Sequence, residues 1–76
     1  MKELIEFVAK SLVDDADAVQ THAYDRGDQT IIELEVAPND LGKVIGRQGR
    51  TARALRTLLA AAGSKSRRRT ILDILD

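Results

Sequence analysis

The sequence predicts an α+β fold in the order helix-strand-strand-helix-helix-strand, with a three-stranded mixed sheet and the helices packed on one face. Three observations carry this expectation. Apolar residues recur at helical spacing near the start and again after residue 50, they alternate with acidic residues within 29–37, and 70–75 is rich in β-forming residues. Between these stretches, Gly46 and Gly49 interrupt an otherwise helical pattern.

The elements follow in order. Met1, Leu4, Ile5, Val8 and Leu12 lie on one face of a first helix, with Glu3 and Glu6 near its start and Lys10 near its end, as the helix dipole favours. Asp14, Asp15 and Asp17 end that helix. They lack the central glycine and terminal glutamate of a calcium loop, so they read as turn residues. Ala18–Asp25 and Gln29–Ala37 read as a hairpin turning at Asp25-Arg26-Gly27-Asp28. In its second strand Ile32, Leu34 and Val36 alternate with Glu33 and Glu35, which places one face on a core and the other in water.

Pro38 cannot continue a ladder and Asn39-Asp40 can cap a helix, so a short helix is expected over Leu41–Ile45, running into the glycine turn. A second helix follows at once. On a wheel of about 100° per residue, Ala52, Leu55, Leu58, Leu59 and Ala62 cluster on one side, Arg50 and Arg53 lie opposite, and Arg56 sits at the flank. Gly63 suits a C-cap, Ser64–Arg69 reads as a polar basic loop, and Thr70–Leu75 as a closing strand with Leu72 and Ile74 on one face. The hairpin is antiparallel, and a two-helix crossover returns the last strand beside the second, which makes the sheet mixed.

Composition narrows the function classes. A chain of 76 residues is expected to form one domain over 1–76. At this size only about 60% of the unfolded surface is buried, which leaves no room for a deep enzyme cleft beside a core. With no cysteine there is no disulfide or thiolate metal site, and His22 is the only histidine, so neither a metal nor a cofactor is expected. There is no phosphate-binding loop of the Gly-x-x-x-x-Gly-Lys-Ser/Thr type and no carboxylate in the basic segment to act as general base; the chain reads as neither an enzyme nor a small-molecule binder. No apolar run approaches the length of about 20 residues that spans a bilayer, and Met1-Lys2-Glu3-Leu4 does not open a signal peptide, so a cytoplasmic location is expected.

The net charge of zero conceals a strong separation. Residues 1–40 carry −7, whereas residues 41–72 carry nine basic residues and no acidic one, for +9. Such a segment can face an anion while the remainder keeps the chain soluble. Within it lies Val44-Ile45-Gly46-Arg47-Gln48-Gly49-Arg50. Glycines let the main chain turn sharply and approach a ligand, and the amides opening the next helix carry partial positive charge. The same Gly-x-x-Gly alone can be a tight helix-to-helix turn and nothing more.

On these residues the chain resembles a type II KH domain, whose signature is Ile-Gly-x-x-Gly between two short helices, here Ile45-Gly46-Arg47-Gln48-Gly49. The longer stretch Gly42 to Ala52 and the basic run before the last strand are similar to the KhpA family of small bacterial RNA-binding proteins, and the match covers the whole chain. The resemblance implies a single-stranded RNA clamp in which Gly46 to Gly49 hold phosphates. Arg47, Gln48 and Arg50 add charge and hydrogen bonds, Lys43 and Arg53 lie beside them, and Val44 and Ile45 contribute an apolar floor. It also implies a homodimer or a heterodimer with a KhpB-like KH protein, and roles as RNA chaperone or post-transcriptional regulator in cell shape and cell-wall homeostasis. The alternative is a protein-protein dimerisation module whose RNA binding is weak or partner-dependent.

Several of these residues have a plainer reading. Val44 and Ile45 beside a turn can simply be core, and Arg56 reads as a solvated helix face. Lys65, Arg67, Arg68 and Arg69 form either a secondary phosphate contact or a solvated loop. Ala52 stands where the broader KH pattern has a larger aliphatic residue, and with one tyrosine and one phenylalanine the chain lacks the stacking aromatics of other RNA-binding sheets.

Overall fold

The computed structural model describes residues 1–62 and 69–76. Helix α1 spans Lys2–Leu12, strands β1 and β2 span Gln20–Arg26 and Gln29–Glu35, helices α2 and α3 span Leu41–Ile45 and Arg50–Ala62, and strand β3 spans Arg69–Ile74. Single 3-10 turns over Ala16–Ala18, Pro38–Asp40 and Arg47–Gly49 link them. The architecture is the α+β type II KH arrangement that the sequence leads one to expect.

The sheet has the order β1-β2-β3. β1 pairs antiparallel with β2, and β2 pairs parallel with β3, with Ile32 opposite Leu72. The hairpin is tighter than expected, because only Gly27 and Asp28 connect Arg26 to Gln29. Gly27 has φ +60° and Asp28 a negative φ, the pattern of a type II′ turn, whose backbone twist suits the twist of the paired strands. The first strand starts two residues later than the sequence suggests, since Ala16–Ala18 form a 3-10 turn.

The core lies between the sheet and the helices. Ile5 and Ala9 of α1, Ile32 and Leu34 of β2, Val44 of α2, Leu55 and Leu59 of α3 and Leu72 of β3 are buried together. Alternation along β2 explains one side of the sheet. The other side buries Ile31, whose register partners are Tyr24 and Ile71. On α3 the leucines do not all turn inward: Leu55 and Leu59 are buried, while Leu58 is 39% exposed. The three outward arginines of α3 are exposed as its periodicity requires.

Asp40 departs from its expected role. It stands at the N-cap of α2 but makes no side-chain cap hydrogen bond there. Its carboxylate instead accepts the backbone N–H groups of Asp14 (3.3 Å) and Asp15 (3.1 Å), fastening the connection after α1 to the entrance of α2. Asp40 is the buried charged residue of the described fold, at 2% exposure.

Candidate nucleic-acid interface

The turn between α2 and α3 has a backbone that few sequences can adopt. Gly46, Gln48 and Gly49 have φ of +78°, +58° and +74°. α2 ends when the Gly46 N–H donates to the Gly42 carbonyl at 2.8 Å. The Gly49 N–H then donates to the Gly46 carbonyl at 3.1 Å, and the Arg50 N–H donates to the Arg47 carbonyl. These bonds consume three amides and leave those of Arg47 and Gln48, at the tip, with no partner among the described residues. Two successive amides beside a left-handed residue form a concavity suited to an anion.

The glycines contribute differently. A Cβ on Gly46 would run into the Thr51 side chain and come within 2.8 Å of the Thr51 backbone nitrogen, so the first turn of α3 packs directly on this residue. A Cβ on Gly49 would meet nothing within 4 Å. Gly49 is required for its φ alone.

Around the tip, the side chains of Arg47, Gln48, Arg50 and Arg53 are exposed. Among the described residues the three arginines have no ion-pair partner. Lys43 differs, because its ammonium lies 2.7 Å from Asp14 Oδ2 and 3.0 Å from Asp40 Oδ1. These contacts, Asp14 first and Asp40 second, raise the lysine's pKa above its ordinary value. The same lysine, followed by the N–H of Asp15, holds the Asp40 carboxyl below the usual carboxylate range against the opposing effect of its burial. Lys43 is thus a strut between α2 and the connection after α1, and its charge is neutralised locally.

Val44 is fully buried and belongs to the core, whereas Ile45 is 37% exposed next to the turn. Lys65, Arg67 and Arg68 lie outside the described residues; Arg69 opens β3 with an exposed side chain. Arg56 does more than face solvent, since its Nη2 donates to the Leu72 carbonyl of β3 at 3.4 Å. The sequence alone did not assign Asp40 its strut or Arg56 its cross-element contact. For Asp40 the spacing to Lys43, one helical turn, was the available signal; for Arg56 there was none. A concavity lined by Glu35, Val36, Pro38, Leu41, Leu75 and Asp76 carries two carboxylates and no cation, which suits no phosphate backbone.

The profile of the KhpA/KhpB KH domain matches residues 2–74. The chain belongs to this KH-domain family. Among KhpA relatives named as RNA-binding proteins, that of Halalkalibacterium halodurans is 53% identical over 76 residues and covers the whole of both chains. That of Borreliella burgdorferi is 54% identical over 97% of this chain and 90% of its own, and that of Aquifex aeolicus 49% identical over 100% and 96%. No solved structure matches the chain. The glycine turn therefore lies within the part of the chain that the KhpA/KhpB profile spans. No helix among the described residues is long and apolar enough to cross a membrane.

Proposed function

We propose that this chain binds single-stranded RNA, with the turn from Gly46 to Gly49 clamping the phosphate backbone. One observation carries the reading: the two open amides of Arg47 and Gln48 lie in a turn that carries the exposed side chains of Arg47, Arg50 and, one helical turn on, Arg53, none of them paired with an acid among the described residues. An anion there gains two backbone donors and mobile positive charge together. A run of about four nucleotides is what a Gly-x-x-Gly clamp of this kind holds. The relatives' printed name, RNA-binding protein, supports the same reading.

The test replaces the tip without touching the core. In Arg47→Asp/Gln48→Asp, both side chains are exposed, so the fold should persist by circular dichroism. Affinity for a single-stranded oligonucleotide should fall at least about tenfold through repulsion and lost charge. Equal affinity in the double variant would remove the clamp from this loop.

Within this proposal the protein acts in the cytoplasm, as an RNA chaperone or post-transcriptional regulator rather than an enzyme, with a place in cell-shape and cell-wall homeostasis. A second reading, association with another copy or with a KhpB-like protein, is supported by Leu58, 39% exposed on α3 among the exposed residues Ala54, Ala61 and Ala62. Sedimentation of the purified chain across a concentration series tests it. A monomer at every concentration that still binds RNA tightly would remove the need for a partner.

A further inference from the structure

Arg56 carries an inference that the clamp itself does not. β3 is an edge strand, so one side of its backbone is unpaired by the sheet. The Leu75 N–H donates to the Leu34 carbonyl at 2.9 Å, which fixes the alternation: Ile71, Asp73 and Leu75 turn their main-chain groups toward β2, and Thr70, Leu72 and Ile74 turn theirs to the open edge. The Arg56 guanidinium lies at that edge, donating once, at 3.4 Å, to the Leu72 carbonyl.

That contact is long and uses one of five donors. Among the described residues no acid pairs with it, and Asp73, close by in sequence, belongs to the opposite face of the sheet, in register with Glu33. The guanidinium is therefore oriented by a main-chain oxygen but not neutralised. Arg56 also lies at a useful distance. It is seven residues past Gly49, about 10 Å along the helix; of the two residues one turn nearer the clamp, Ala52 is small and buried and Arg53 is exposed and itself cationic.

We infer that Arg56 is the base-selecting residue of this site, its guanidinium fork at the free edge of β3 taking bases with two adjacent acceptors, cytosine or guanine, over adenine and uracil. The inference rests on the reading of the glycine turn as an RNA clamp. A strand gripped at the turn reaches Arg56 within the same short segment of about four nucleotides. The fork has donors only. Cytosine offers N3 beside O2 and guanine O6 beside N7, whereas uracil, and adenine on its Watson–Crick and Hoogsteen edges, set each acceptor next to an N–H that the fork would oppose. Lysine keeps the charge but not the two parallel donors.

The experiment measures affinities of the full chain, by fluorescence anisotropy, for six-nucleotide RNAs of C, A or U and for U oligomers containing two adjacent G. The unmodified chain should favour the C or the G oligomer over A and U by about 5- to 150-fold, the range of one good bidentate base contact. Which of the two leads distinguishes the Watson–Crick from the Hoogsteen edge. In Arg56→Lys the ratio should fall toward one, with the salt dependence of binding retained. Arg56→Gln should lose the ratio as well, with the salt dependence again retained because it counts phosphate contacts.

An unchanged ratio in Arg56→Lys, or a uniform drop across all oligomers, overturns the inference: the first denies Arg56 a role and the second makes it a phosphate contact or a structural tie. Binding by the unmodified chain without any preference overturns it alone, leaving the clamp standing. No binding of any oligomer overturns the clamp as well, a result that Arg47→Asp/Gln48→Asp would then reproduce.

Discussion

Gly46 and Gly49 form a symmetrical pair in the sequence, yet the chain asks different things of them. At Gly46 a methyl group meets both a φ of +78° and the Thr51 backbone, which cannot step aside without unwinding the start of α3. At Gly49 only the φ of +74° opposes it. Gly49→Ala should cost about 1–2 kcal/mol of unfolding free energy, the ordinary cost of a left-handed L-residue. Gly46→Ala should cost clearly more, about 3 kcal/mol; chemical denaturation of the two variants measures the difference, and equal losses would contradict the Thr51 contact. Asp40 is the other residue whose environment has a measurable sign. Its folded pKa lies below the unfolded value, so its contribution to stability is fully present above about pH 4 and is lost as pH falls through the lower folded value. Asp40→Asn should lower stability at neutral pH and flatten the acid limb of the stability curve below about pH 4, read from thermal melts across pH.

At the scale of elements, α3 carries both the interior and the exterior of the site. Leu59 is fully buried and Leu58 is 39% exposed, although they are neighbours in the chain and both fall on the apolar side of the helical wheel. Leu59→Ala should cost about 2–5 kcal/mol, and Leu58→Ala clearly less, about 1 kcal/mol, since 39% of its surface already faces water. Periodicity could not separate the two, because it reports a side of the helix but not how far the neighbouring sheet extends beneath it. The same limit acts elsewhere. The alternation of Ile32, Leu34 and Val36 made the inner face of β2 legible, whereas the burial of Ile31 depends on Tyr24 and Ile71, which only the strand register brings together. The glycine turn and its flanking helices were legible because Gly-x-x-Gly is a local backbone demand. The engagement of Lys43 by Asp14, 29 residues away, is a tertiary event without a local signal.

The whole molecule is a dipole of sequence, −7 over residues 1–40 and +9 over residues 41–72, but folding does not leave all nine cations available. Lys43 is drawn into the acidic half by Asp14 and Asp40, so one acidic pair both braces α2 and subtracts a charge from the binding face. Arg47, Arg50 and Arg53 remain exposed and unpaired by acids among the described residues. If these three contact phosphates, log affinity for single-stranded RNA should fall with log salt at a slope of about −2, each neutralised phosphate contributing about −0.7. Arg53→Gln should then make the slope shallower by about 0.7. Lys43→Gln should leave the slope unchanged while lowering stability, because the buried Asp40 carboxylate loses its cation. A slope steeper than about −3 would exceed what these three arginines supply and would assign further phosphates to Lys65, Arg67, Arg68 and Arg69, where neutralising substitutions should bring it back toward −2. Titration of one oligonucleotide at four salt concentrations, repeated for each variant, separates cations that grip RNA from the one that holds the fold.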